Sequence, residues 1–336
     1  MQRASGWIEI IAAVATMTGG VTLGVEAHAV VQSMVVDTAT YAGGGSSIFF
    51  GAVSCPEGAS TVGGGAEVTS PFFVHVTQSQ PTFTGFGLFS QTDGLHGAPD
   101  GWSSAAVMSP IHIGSTLKSA VLCSTSVTPQ TVVASTSVLP AGTGSATALC
   151  PIGEVALSGG VAVGAPNSMR VLAFEPTFAT GALSTLPDGA GPAPNGWTAS
   201  IRNDDNAEQL LKVAAICVAS VTAVTDVTSF GVPGADLGLG SRACPTDDVA
   251  TAGAFGAPSP TALSLIASAP TVLATAPNGA NQAPTSWQSE VHNEGADFLI
   301  APFAVVCVPE PSSGFAGLAA LCAVLALRVG IAHRRT

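Results

Sequence analysis

The sequence predicts an all-β chain of three tandem, disulfide-stapled, β-sandwich-like repeats, and three observations predict it. First, the composition is 47% hydrophobic and only 9% charged, with 39 glycines; small and β-branched residues suit pleated sheets joined by Gly/Pro turns. Second, no long stretch carries the 3.6-residue apolar period that a helix bundle needs. Third, the pattern Cys-Pro, Gly, Trp, Cys recurs three times in register.

The N-terminus opens with Met1-Gln2-Arg3, followed by an apolar stretch from Ile10 to Val25 and the small-x-small pattern Ala27-His28-Ala29. One positive charge, an apolar core and a small-residue cut site predict a secretory signal peptide over 1–29, with Val30 as the mature end. An N-terminal membrane anchor is the alternative.

The repeats follow. Cys55-Pro56, Cys150-Pro151 and Cys244-Pro245 lie 95 and 94 residues apart. Nine residues after each cysteine stands a glycine (Gly64, Gly159, Gly253). Ala-Pro-x-Gly/Ser-Trp then places Trp102, Trp197 and Trp287, and a second cysteine closes each copy at Cys123, Cys217 and Cys307. The units are 30–124, 125–218 and 219–307. Each has the size of a six- or seven-stranded sandwich; one pseudo-threefold β-prism built from all three is the alternative architecture. In unit two the predicted strands are Gln130–Val138, Glu154–Val163, Met169–Phe174 and Leu211–Val218. A turn is expected at 142–144 and a Pro-rich loop over 187–195.

Two cysteines per unit in an exported chain imply bridges. Repeat logic selects one of the 15 pairings: Cys55–Cys123, Cys150–Cys217 and Cys244–Cys307. No Cys-x-x-Cys occurs, so neither a metal nor a cofactor is expected. Trp102, Trp197 and Trp287 have two readings, core plugs beside the disulfides or sugar-stacking platforms; a Pro/Gly turn before each ring allows both.

The formal charge is −12 and only two lysines occur, Lys118 and Lys212. Without a basic patch between the two ends, no nucleic-acid partner is expected. The central histidines His75, His96, His112 and His292 occupy no common repeat position, and no Gly-x-Ser-x-Gly or His-Glu-x-x-His occurs. The acidic pairs Asp204-Asp205 and Asp247-Asp248 lack an EF-hand pattern and read as solvated turns. What recurs is Cys, Gly, Pro and Trp, residues of scaffold rather than of catalysis, so the chain is read as not an enzyme.

The C-terminal segment 308–336 has three parts. Val308-Pro309-Glu310-Pro311 comes first, then an apolar run over about 314–332 that holds Cys322 and is interrupted by Arg328, then His333-Arg334-Arg335. Nineteen helical residues span about 28 Å, the thickness of a bilayer core, and the basic end would stay cytoplasmic. This tail resembles the PEP-CTERM sorting signal; Arg328 departs from it by shortening the apolar run. The resemblance implies Pro309-Glu310-Pro311 as the recognition motif and Arg334 and Arg335 as the basic cluster. It further implies processing by an exosortase, transient inner-membrane anchoring and delivery to the cell surface or extracellular polymer. An uncut C-terminal anchor is the alternative. For the body, the expectation is a non-enzymatic structural or adhesive protein; the alternative is a carbohydrate-binding module whose partner is exopolysaccharide.

Overall fold

A computed structural model describes residues 31, 33–40, 48–69, 74–108, 115–256 and 263–310. The signal-peptide segment, His112 and the tail from Pro311 onward, with Cys322, Arg328, Arg334 and Arg335, lie outside the described residues.

Among the described residues each unit contributes seven strands. Unit one has β1 (Ser33–Thr40), β2 (Ile48–Ser54), β3 (Ser60–Val68), β4 (Val74–Thr82), β5 (Gly94–His96), β6 (Gly101–Met108) and β7 (Thr116–Ser124). Unit two has β8 (Gln130–Val138), β9 (Thr143–Leu149), β10 (Glu154–Val163), β11 (Met169–Thr177), β12 (Gly189–Gly191), β13 (Gly196–Asn203) and β14 (Gln209–Ala219). Unit three has β15 (Val224–Val232), β16 (Leu237–Ala243), β17 (Asp248–Phe255), β18 (Leu263–Pro270), β19 (Gly279–Asn281), β20 (Ser286–Asn293) and β21 (Leu299–Pro309).

The expected β class holds, and the two architectures weighed from sequence turn out to be one. Within unit one, β1-β7-β3 form one half-sheet and β2-β6-β4 the other; units two and three repeat this. Each half-sheet then continues into a neighbouring unit. The three seven-stranded antiparallel sheets run β2-β6-β4-β10-β14-β8-β5, β12-β15-β21-β17-β11-β13-β9 and β16-β20-β18-β3-β7-β1-β19. Unit one therefore joins two, two joins three, and three returns to one in a closed pseudo-threefold ring.

The joins use one register. The bridging pairs are Val161↔Ser79, Phe255↔Phe174 and Ala66↔Ser268. In each, the first residue lies 11 and the second 24 positions after its unit's first cysteine. Bulges on both sides let the sheet bend from one unit into the next, because an extra residue sharpens local twist. One set falls at Val62, Leu157 and Thr251, the other at Thr77, Leu172 and Ile266. The first set meets where β3, β10 and β17 converge. There Ser158 Oγ donates to the Val62 carbonyl (2.9 Å) and Thr251 Oγ1 to that of Leu157 (2.7 Å). A Cβ on Gly63 would lie 2.1 Å from the Thr251 carbonyl oxygen, so glycine closes the circle.

A second device holds neighbours together. The segment after β4, β11 or β18 crosses onto the next unit as an arm, ending in a three-residue strand paired with that unit's first: β5 with β8, β12 with β15, β19 with β1. The first arm buries Leu88 against Val133, Ala162 and Ala214 of unit two. The second buries Phe178 and Leu183 against Val227 and Ala304 of unit three. The third buries Leu273, and Lys118 Nζ donates to the carbonyls of Leu273, Ala274 and Ala276 at 2.6–3.1 Å.

Three local expectations change. The turn expected at 142–144 is already the start of β9, because Gly144 pairs with Ile201 in the ladder. The Pro-rich loop 187–195 contains β12, a pairing only the neighbouring unit can offer. Unit three, expected to end at Cys307, continues as strand through Val308 and Pro309, which pair with Val249 and Asp248.

Candidate functional site

The covalent centre of each unit is its disulfide. The bridges are Cys55–Cys123, Cys150–Cys217 and Cys244–Cys307, with Cα–Cα distances of 5.7, 5.5 and 5.6 Å. The first cysteine follows one half-sheet's edge strand and the second lies within the other half-sheet, so each bridge ties a sandwich across its core. All three stay within their own units.

Beside each bridge lies the tryptophan, and all three are core. Trp102 and Trp197 are 0% exposed and Trp287 1%, so none offers a ring face to a sugar. Each indole rests on the recurring glycine of its own repeat: a Cβ would fall 2.3 Å from Trp102 at Gly64, 2.0 Å from Trp197 at Gly159 and 1.9 Å from Trp287 at Gly253. Trp102 Nε1 donates to Ser79 Oγ (2.9 Å) and Trp287 Nε1 to Ser268 Oγ (3.0 Å). In unit two Phe174 replaces that serine and tilts against Trp197 at 5.3 Å between centroids, leaving Trp197 Nε1 buried without an acceptor.

The motif predicted for sorting begins inside the fold. Val308 is buried, Pro309 is paired in β21, and the Glu310 amide donates to the Asp247 carbonyl (2.9 Å) while its side chain is exposed. A cleft of about 640 Å³ opens here between units three and one, lined by Val31, Pro245, Asp247, Asp248, Gln282 and Glu310 among others. Burial and the neighbouring Asp247 push the Asp248 carboxyl up. Three carboxylates make the cleft unfavourable to anions. Among the described residues no three His, Cys, Asp or Glu side chains are placed to share a metal ion. No described helix is long and apolar enough to cross a membrane.

A second polar group, missed from sequence, joins units two and three. Arg170 and Arg202 both contact Asp204 (2.9 and 2.7 Å) and both reach Glu294, Arg202 at 2.9 Å. Burial raises both carboxyls, but the guanidiniums outweigh it and hold them below the usual carboxylate range. Nearby, burial and then Arg170 lower His75 to about 4. His75 and Arg170 stand at the same repeat position, 20 after Cys55 and Cys150. The signal available was that shared spacing, but with different residue types it could not reveal contact. Of the other histidines, His96 bonds the Thr92 carbonyl (2.7 Å) and His292 lies in β20.

The His75 geometry fixes a pH dependence. Its folded pKa lies below the ordinary 6.5, so its contribution to stability is present above pH 6.5 and is lost as pH falls towards 4. Urea unfolding of wild type and His75→Gln across pH 4–7 should show the loss in wild type and a shallower slope in the variant.

No family model and no curated protein matches the chain. Among solved structures it is similar to the major capsid protein P2 of bacteriophage PM2: 8% identity, 55% of this chain and 97% of that one, TM-score 0.21. It is also similar to a chain of Sulfolobus Turreted Icosahedral Virus: 9% identity, 78% of this chain and 84% of that one, TM-score 0.18. Scores this low carry no inference about fold or role.

Proposed function

We propose that this chain is an exported, non-enzymatic structural protein of the cell surface or extracellular polymer, delivered by its signal peptide and processed at its tail by an exosortase. The observation that carries the reading is one disulfide in every repeat, which belongs to an oxidising, extracellular environment. The repeated side chains support a scaffold: the cysteines, Gly64, Gly159, Gly253 and the three tryptophans all go into the core. The carbohydrate-binding alternative loses its platform with the burial of those indoles.

Intact and non-reduced peptide mass spectrometry of the exported protein tests the reading. The expected product starts at Val30, carries the three bridges and lacks 312–336. A Pro309→Ala, Pro311→Ala variant should accumulate in the membrane fraction with its tail attached. A wild-type product that retains 312–336 would overturn the sorting step.

A further inference from the structure

The three arms dock on chemically unequal seats. Under the first arm, Gln80 Oε1 accepts the Leu88 amide (2.7 Å), Gln80 Nε2 donates to Gln78 Oε1 (3.2 Å), and Lys212 Nζ donates to the Gln91 carbonyl. Under the third, Lys118 binds three arm carbonyls. Glu67 is its direct cross-strand partner, and such partners share a face. The second seat has neither cation nor amide. Pro302 stands where the others have lysine, and Glu175 stands where the first has Gln80. Glu175 Oε2 is buried without a hydrogen-bond partner; it would lie 2.7 Å from a Cβ on Gly256, which itself packs on Pro302.

Among the described residues no neighbouring charge compensates this carboxyl. Arg170 and Arg202, on β11 and β13, are engaged with Asp204 and Glu294. Asp188 on the arm is exposed and accepts from Ser229. Asp226 on β15 pairs with Arg242, Asp248 lies at the far end of β17, and β21 carries no charged residue. Burial alone pushes Glu175 up to about 7.

We propose that Glu175 is a proton-controlled latch: protonated, it keeps the second arm (178–191) docked on unit three, and ionised, it releases that arm while the first stays in place. The neutral acid has the shape and hydrogen-bonding capacity of Gln80. The carboxylate, with no cation in reach, is stable only where water can enter. Because the folded value exceeds the ordinary 4.5, docking is strongest in acid, weakens as pH climbs from 4.5, and carries the full penalty above about 7. Release would uncover the apolar seat around Val227 and Ala304 and free the edge of β15.

Hydrogen exchange with mass detection on the disulfide-intact protein, at about pH 5.5 and about pH 8 and corrected for intrinsic rates, tests this. Protection of 183–191 and of β15 should fall about tenfold or more at the higher pH, while 83–96, held by Gln80 and Lys212, stays nearly constant. Glu175→Gln should abolish the loss. Equal protection of the second arm at both pH values, or the same loss in Glu175→Gln, would overturn the latch. If that variant fails to fold, the wild-type side-chain carboxyl followed by carbon NMR decides. A midpoint near 7 that tracks the arm's exchange supports the latch, and one near 4.5 rejects it.

Discussion

Gly253→Ala should cost about 3 kcal/mol or more, near the upper end of overpacking penalties. The added Cβ would stand 1.9 Å from Trp287 Cδ1 and 2.6 Å from Nε1. Neither side can yield easily. The indole is buried and tied to Ser268 Oγ, and β17 is paired with β21 along its length and with β11 at Phe255. Trp287→Ala alone should cost about 3–5 kcal/mol by leaving a cavity. The two costs should not add, because in the double variant the methyl introduced by Gly253→Ala enters the space the ring has left. Denaturant unfolding of both single variants and the double variant measures this. A double variant as unstable as the sum would mean that the ring contact is not what requires glycine.

Cys244→Ser with Cys307→Ser should lower stability by about 4 kcal/mol, from the loop-closure entropy of a bridge spanning 63 residues. The other bridges span 68 and 67 residues. A logarithmic dependence on length makes the three entropic terms nearly equal. The third bridge differs in consequence: it anchors β21 immediately before Val308 and Pro309. Its loss should let the end of β21 fray from β17 and make the 308–310 segment open to proteases, while β7 and β14 stay protected. Limited proteolysis of the variant with mapping of the cut sites reads this directly. Equal susceptibility of all three final strands would show that the bridge does not guard the motif.

The candidate site was legible wherever covalent chemistry or a repeated residue type marked it. Spacing sufficed for the cystine pairs once each bridge was kept inside its own repeat, since only one pairing meets that condition. It also placed the tryptophans beside them, but could not say whether the rings faced inward. That depended on Gly64, Gly159 and Gly253 leaving room for an indole over the strand. The ion network of Arg170, Arg202, Asp204 and Glu294 was invisible: its two acidic members share a repeat position, each seven residues after its tryptophan, but the arginines do not recur, and Glu294 reaches those arginines only across the join between units two and three.

The sequence by itself determined the strand-rich class, the three units and their covalent staples, because composition, period and thiol pairing are properties of the chain. Only the tertiary structure decided that the units close into a ring by sharing sheets. The bridging pairs that do so, Ala66 with Ser268, Val161 with Ser79 and Phe255 with Phe174, share no residue type across all three. Backbone amides and carbonyls make these joins, and every residue but proline carries both, so nothing in the side chains announces which strand edge will find which.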